Sequence, residues 1–286
     1  MNASGTSEKS LIHNEVVKLY EVSTGCFTVV IDNPPYNLVD SRVFAGLQAV
    51  GSFAEDPAND VRVCVFTSAN PEFFLNHVGL EISDQGEVSE PLEIMQGWPA
   101  LSEWLSSGPV VTIVALRGRA WGFGGEFALS ADMRFASREN TRLCMLEVGF
   151  GALPGGGGLE WSQFLAGRAR AMEFVLSSDD LDADTLELYG LVNRAIPDAE
   201  LDAFVEKLAR RIASFNPAGV VMAKSQLTKR RPIPGPADLL DTGTAAGSLL
   251  STEAGQAAVG RLMVKAGSAP FSREVELDLP RLCDID

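Results

Sequence analysis

The sequence predicts an α/β fold: a core of parallel strands alternating with helices, followed by a helical C-terminal region. Three observations carry this. Residues 110–116 hold three valines, an isoleucine and a threonine, a run too short for a helix and rich in the β-branched residues of a strand buried on both faces. A glycine-rich turn follows at once and opens an apolar helix. Beyond residue 198 the apolar spacing is helical throughout, over 201–215, 217–227, 239–250 and 252–264.

Residues 1–14 are polar and aperiodic and read as a disordered lead-in. Residues 16–19 and 26–31 form a hairpin around 21–25, and Asp32-Asn-Pro-Pro35 stops the second strand because proline cannot donate to a ladder. Asp40 or Ser41 caps a helix running to about Glu55, with Val43, Phe44, Leu47 and Val50 on one face, and Asp56-Pro57 ends it. Residues 61–67 are the next parallel strand. The acidic, loosely patterned stretch 82–96 reads as a mobile flap, and helical spacing resumes over 92–105, where Trp98 and Trp104 either line a pocket or fill the core. After the central strand, turn and helix, short strands are expected at 133–136 and 143–145. Gly155–Gly158 leads into a helix carrying Leu159, Trp161, Phe164 and Leu165. Helices at 169–176 and 183–188, a C-cap at Gly190 and a strand at 191–196 complete the core. The resulting division is a lead-in (1–14), an α/β core (15–200), a helical region (201–270) and an acidic tail (271–286) with no assignable role.

Composition narrows the function. At 286 residues and 46% hydrophobic, the chain buries a full core. No apolar run approaches the roughly 18–20 residues of a membrane span, and the N-terminus lacks the apolar segment of a signal peptide, so a cytoplasmic protein is expected. Cys26, Cys64, Cys144 and Cys283 are scattered and read as buried thiols; with only His13 and His77 beside them, no metal site is expected. The net charge of −15 argues against nucleic acid and anionic membranes as partners.

The chemistry concentrates in Arg117-Gly-Arg-Ala-Trp-Gly-Phe-Gly-Gly-Glu126-Phe-Ala-Leu-Ser-Ala-Asp132. The first N–H groups of the helix lack intrahelical partners and, with the helix dipole, suit a carbonyl oxygen that becomes negative. Glu126 at the mouth of the turn is either an acid or base for that carbonyl or simply a first-turn carboxylate favoured by the dipole. No G-x-G-x-x-G, P-loop lysine or G-x-S-x-G competes with this reading.

Twenty-one residues on, Leu143-Cys-Met-Leu-Glu147-Val-Gly-Phe-Gly-Ala-Leu-Pro154-Gly-Gly-Gly-Gly158 carries a second glutamate. Together the two stretches resemble the enoyl-CoA hydratase/isomerase (crotonase) superfamily, with its G-x-A-x-G-G-G-x-E-L-A turn and P-E-x-x-x-G-x-x-P-G-x-G-G segment. The resemblance is strong over residues 26–228. It implies a repeated ββα spiral core with a C-terminal helical trimerisation region, a homotrimer or dimer of trimers, and an acyl-CoA thioester as substrate. Coenzyme A enters as part of that substrate, with no separate cofactor. Glu126 and Glu147 take the catalytic positions, and the backbone N–H groups of His77 and Phe123 those of the oxyanion hole. Tyr36, Asn37 and Leu38 match the loop on which the adenine packs, and Leu75, Asn76, Gly124 and Lys229 complete the implied substrate contacts. Lys224 with Lys229 to Arg231 is either a basic patch for the coenzyme or a solvated helix end.

The chain departs from the family pattern at Asn76 and Phe123, where glycine is usual, and at Gly79, where acidic residues are frequent. A backbone N–H survives any side chain but proline, so the oxyanion hole is compatible with both larger residues. The His77 ring either faces the acyl group or packs outside the pocket. Two retained glutamates point first to syn hydration of a 2-enoyl-CoA. The alternatives are a double-bond isomerase working chiefly through Glu147 and a non-catalytic acyl-CoA-binding protein.

Overall fold

The computed structural model describes residues 10–79, 81–82, 88–89, 92–230, 232–266 and 279–283. The chain runs β1 (Val17–Ser23), β2 (Cys26–Ile31), α1 (Ser41–Glu55), β3 (Val63–Ser68), β4 (Phe73–Leu75), β5 (Glu81–Ile82), β6 (Val88–Ser89) and α2 (Leu92–Ser107). Next come β7 (Val111–Leu116), β8 (Arg119–Trp121), α3 (Phe123–Ser130), β9 (Met133–Ser137), β10 (Arg142–Cys144), α4 (Gly158–Ala166) and α5 (Arg168–Ser177). The last elements are β11 (Leu181–Asp182), α6 (Ala183–Tyr189), β12 (Arg194–Ile196), α7 (Asp198–Ala213), α8 (Pro217–Arg230), α9 (Pro236–Leu250) and α10 (Glu253–Ala266).

Six strands form the larger sheet in the order β1-β2-β3-β7-β9-β12, parallel except for the β1–β2 hairpin. Four short strands form the second, β11-β10-β8-β4, in which β4, β8 and β10 are parallel. Each of β3, β7 and β9 is followed by a strand of the second sheet and then a helix, with the β5–β6 pair inserted before α2 in the first copy, which is the ββα repeat that the resemblance implies. Side chains along β3 and β7 divide by parity. Val63, Val65, Val111, Ile113 and Ala115 pack with Leu201, Val205 and Ala209 of α7, while Cys64, Phe66, Val114 and Leu116 join the main core with Leu75, Ala120 and Leu143 of the second sheet. Both faces are buried, which is why residues 110–116 read as one apolar run.

Several local expectations are refined. Asp40, rather than Ser41, caps α1, accepting from the N–H groups of Arg42 and Val43 at 3.0 Å each. Strand β8, hidden within the glycine-rich turn, was not expected. The end of the polar lead-in is packed on the core: Leu11 N–H donates to Leu19 O at 2.8 Å and Ile12 is buried. Residues 1–9, part of the flap (83–87 and 90–91), Arg231 of the basic run and most of the tail (271–278 and 284–286) lie outside the described residues. Within the tail, Leu279 packs on the outer face of the second sheet with Phe73, Trp121, Cys144 and Leu146.

Cys26, Cys64 and Cys144 are buried and form no disulfide among the described residues. Burial pushes the Cys64 thiol up to about 12, so it is an inert packing group. No helix among the described residues is long and apolar enough to cross a membrane.

Lys224 is not part of a solvent-facing basic patch. Its Nζ donates to Asp132 Oδ2 at 2.6 Å, Val110 O at 2.8 Å and Leu105 O at 3.3 Å, tying α8 to the core. Burial pushes the Asp132 carboxyl up and the Lys224 ammonium down, each opposed by the attraction of the other. The same Asp132 oxygen also accepts from Thr112 N–H at 2.9 Å, which, with three donors of the ammonium engaged, keeps the pair ionised. Lys224→Met is therefore expected to lower unfolding stability by about 3–5 kcal/mol in urea titration, because it strands the Asp132 charge.

Candidate active site

The three parallel strands of the second sheet end side by side, and each delivers part of one cluster. Register pairs Leu75 with Ala120 and Leu143 with Ala120, so the residues after β4, β8 and β10 emerge at the same carboxyl edge. Asn76 and His77 follow β4, Gly122 to Glu126 follow β8, and Glu147 comes just beyond β10. Gly122 sits at the centre, with φ 52° and ψ −122°, a conformation that favours glycine. A Cβ placed there would lie 2.8 Å from Glu147 Oε1 and 3.3 Å from His77 Cβ. Its N–H donates to Cys144 O at 3.0 Å, holding the β8 turn to β10.

Glu126 lies in the first turn of α3 and is 3% exposed. A carboxyl group so buried needs polar partners, and the second glycine segment supplies them. Gly156 N–H and Gly158 N–H both donate to Glu126 Oε1, at 2.7 and 3.0 Å. Glu147 is half-buried at the head of a single 3-10 turn, its carbonyl accepting from Phe150 and Ala152 N–H groups at 3.1 and 2.8 Å. Phe123 heads α3, where an N–H has no intrahelical acceptor. Its ring turns away into the core and packs on Trp98, with centroids 4.5 Å apart.

The β4 end is held by a clamp. Asn37, fully buried with φ 50°, accepts from Asn33 N–H at 2.8 Å through Oδ1. Its Nδ2 donates to Ser68 Oγ, Phe73 O and Phe74 O at 2.7, 3.1 and 3.1 Å. Its carbonyl receives Asn76 N–H at 2.9 Å, and Asn76 O receives Gly124 N–H at 3.1 Å. The side chain of Asn37 thus builds the site from behind, while half-buried Tyr36 and Leu38 flank it. The side chain of Asn76, also fully buried, accepts His77 N–H at 2.9 Å through Oδ1. His77 Nδ1 lies 2.8 Å from Val78 O; a carbonyl only accepts, so Nδ1 carries a proton.

Of the residues implied by sequence, Leu75, Asn76, His77, Phe123, Gly124, Glu126 and Glu147 therefore meet at one edge, with Tyr36, Asn37 and Leu38 beside it. Lys229 does not join them in the described contacts: it is exposed on the last turn of α8, which meets the core at Leu105, Val110 and Asp132. A surface depression of about 300 Å³ between residues 54–62 and 212–221 includes none of these residues in its lining. Sequence reasoning missed the direct role of Trp98, whose Nε1–H donates to Gly156 O at 2.6 Å. An indole among apolar neighbours reads as core, and its acceptor lies in a distant segment. Chemically, the cluster offers backbone donors at a helix start and two carboxyl groups converging from separate strands.

A family model described as enoyl-CoA hydratase/isomerase matches residues 21–239 of the chain. An enoyl-CoA isomerase/hydratase of Mycosarcoma maydis is 26% identical over 215 residues, covering 72% of this chain and 77% of its own. A carnitinyl-CoA dehydratase of Salmonella typhi is 28% identical over 197 residues, covering 68% of this chain and 74% of its own. The solved structure of a candidate enoyl-CoA hydratase from Streptomyces avermitilis aligns with TM-score 0.83 at 35% identity, over 98% of this chain and 99% of that one. A candidate enoyl-CoA hydratase from Thermobifida fusca, solved in complex with CoA, aligns with TM-score 0.66 at 26% identity, over 82% and 91%.

Proposed function

The chain belongs to the enoyl-CoA hydratase/isomerase family, and from that premise we propose that it adds water, syn, across the double bond of a 2-enoyl-CoA. The observation that carries the reading is the convergence of three strand ends around Gly122, which sets Glu147 and His77 together against the turn leading to Glu126. The thioester oxygen accepts from the N–H groups of Phe123 and His77. That polarisation leaves the β-carbon electron-poor. A water held between Glu126 and Glu147 loses a proton to one carboxylate as its oxygen bonds to the β-carbon, and the displaced electron pair reaches the thioester oxygen as an enolate. The other carboxyl group returns a proton to the α-carbon. Donors of this kind are worth about 10²–10³ in rate each, and a positioned acid or base about 10²–10⁴. The adenine end of the coenzyme packs on Tyr36 and Leu38, with Asn37 holding their loop. Exposed Met222, Leu227 and Leu240 on α8 and α9 support assembly of copies through the helical region; the stoichiometry, a homotrimer or a dimer of trimers, rests on the family resemblance.

The reading requires His77 N–H to change acceptor from Asn76 Oδ1 to the thioester oxygen. Removing the internal competitor favours the substrate by about one hydrogen bond, roughly 0.5–1.5 kcal/mol. Asn76→Gly is therefore expected to lower the Kd of a non-reactive acyl-CoA about three- to tenfold in calorimetric titration, with some loss of thermal stability. An unchanged or raised Kd would count against substrate use of this N–H.

The proposal is tested by incubating the protein with short- and medium-chain acyl-CoA thioesters in D₂O and with 2-enoyl-CoA in water. Deuterium incorporation at the α-carbon together with 3-hydroxyacyl-CoA formation is the expected result. Tight binding of the thioesters with neither reaction across the panel would replace the enzyme by a binding protein.

A further inference from the structure

We infer that Trp98 is the positioning residue that locks the acid–base glutamate and an oxyanion donor into one unit, an inference that rests on the proposed use of Glu126 and Phe123. Trp98 lies on α2 and is 3% exposed. Its indole Nε1–H donates to Gly156 O at 2.6 Å, and the N–H of the same glycine donates to Glu126 Oε1 at 2.7 Å. Gly156 is therefore held at both its amide and its carbonyl, and rotation of either adjoining peptide breaks one of the two bonds. Within a buried, low-dielectric site such a chain is mutually reinforcing. Only glycine fits there: a Cβ would lie 2.3 Å from Glu126 Oε2 and 2.9 Å from Trp98 Nε1.

The same indole also backs the other half of the site. Its ring packs on Phe123 at 4.5 Å and on Phe127 at 6.2 Å, so the first turn of α3 is pressed between Trp98 and the end of β4. Phe123, standing where the family has glycine, thereby gives its oxyanion N–H a fixed backing that glycine would not provide. Trp104, on the same helix, supplies the contrast. It packs edge-on against Phe66, and its Nε1 has no hydrogen-bond partner among the described residues. One tryptophan of α2 fills the core, while the other connects two functional groups.

The test compares Trp98→Phe, which keeps a ring against Phe123 but deletes the N–H, with Trp104→Phe, which removes the same ring volume from the same helix. In protein carrying ¹⁵N-glycine, Trp98→Phe is expected to shift the Gly156 and Gly158 amide resonances. It should also lower kcat on 2-enoyl-CoA about 10- to 100-fold, the cost of misplacing a catalytic group by about 1 Å, with little change in KM. Trp104→Phe should leave both readouts unchanged. Unmoved glycine amides and retained kcat in Trp98→Phe, or equal effects from the two variants, overturn the inference while leaving the hydratase reading intact. If wild-type protein turns over no enoyl-CoA, the hydratase reading fails, and the glycine amides alone decide whether Trp98 holds the Glu126 clamp. Should Trp98→Phe fail to fold, site-specific benzothienylalanine at residue 98 deletes the donor without a cavity and carries the same expectations.

Discussion

Gly124→Ala is expected to destabilise the protein by more than about 4 kcal/mol or to prevent folding altogether, an effect reserved for steric conflicts that no side-chain rotation relieves. The new Cβ would lie 1.8 Å from Leu75 O, 2.5 Å from Leu75 C and 3.2 Å from Asn76 N, all backbone atoms. Nor can that backbone withdraw easily. Asn76 N–H is bonded to Asn37 O, Asn76 O receives Gly124 N–H itself, and Asn37 Nδ2 grips Phe73 and Phe74 carbonyls. Relief requires α3 to part from β4, which would also separate the His77 and Phe123 donors. Gly167→Ala is the control: its φ of 78° strains alanine, but nothing lies within 4 Å of the added carbon. Its ψ of 162° places it in a region that is essentially glycine's alone, so that substitution should cost about 1–3 kcal/mol in the same urea titration. A Gly124→Ala protein with near-native stability would mean that β4 and α3 do not approach this closely.

This contrast bears on what the sequence could reveal. The β7 strand and the α7 stripe were legible because each is decided by burial along a single element, and parity or helical spacing records it. The Asp40 cap was legible as one of two candidates for the same local reason. Strand β8 was not, since three residues inside a glycine-rich turn carry no period, and they are extended only because β4 and β10 flank them. Glu126 and Glu147 were found through motifs, yet the partners that fix Glu126 come from the Gly156–Gly158 turn and, behind it, from Trp98. Such contacts join segments far apart in the chain and leave no spacing to read. Asn76 illustrates the same limit: its departure from glycine was visible, whereas its capture of the His77 N–H is a fact of geometry. Lys224 was misread as a candidate for solvent or coenzyme because a lysine near a basic run looks exposed until its buried partner, Asp132, is known.

Glu126→Gln and Glu147→Gln are each expected to lower kcat for hydration by about 10²–10⁴, since hydration needs one group to take a proton from water and another to give one to the α-carbon. Both substitutions keep volume, and a Gln at 126 still presents an amide oxygen to Gly156 and Gly158, so native folding is expected in each. The pattern of loss separates the two enzymatic readings. If the chain instead moves a double bond, one base shuttles a single proton; Glu147→Gln then abolishes isomerisation of a 3-enoyl-CoA while Glu126→Gln keeps much of it. The geometry makes equal sensitivity the sharper expectation. Glu126 is firmly held, with two N–H donors of the glycine turn aimed at one oxygen, and a carboxyl group so fixed suits a step in which water must be oriented as well as deprotonated. Glu147 enters from a 3-10 turn, and its Oε1 lies against Gly122, one residue before Phe123. Loss confined to Glu147→Gln would therefore overturn hydration in favour of a one-base isomerisation, even though both carboxyl groups line the same edge.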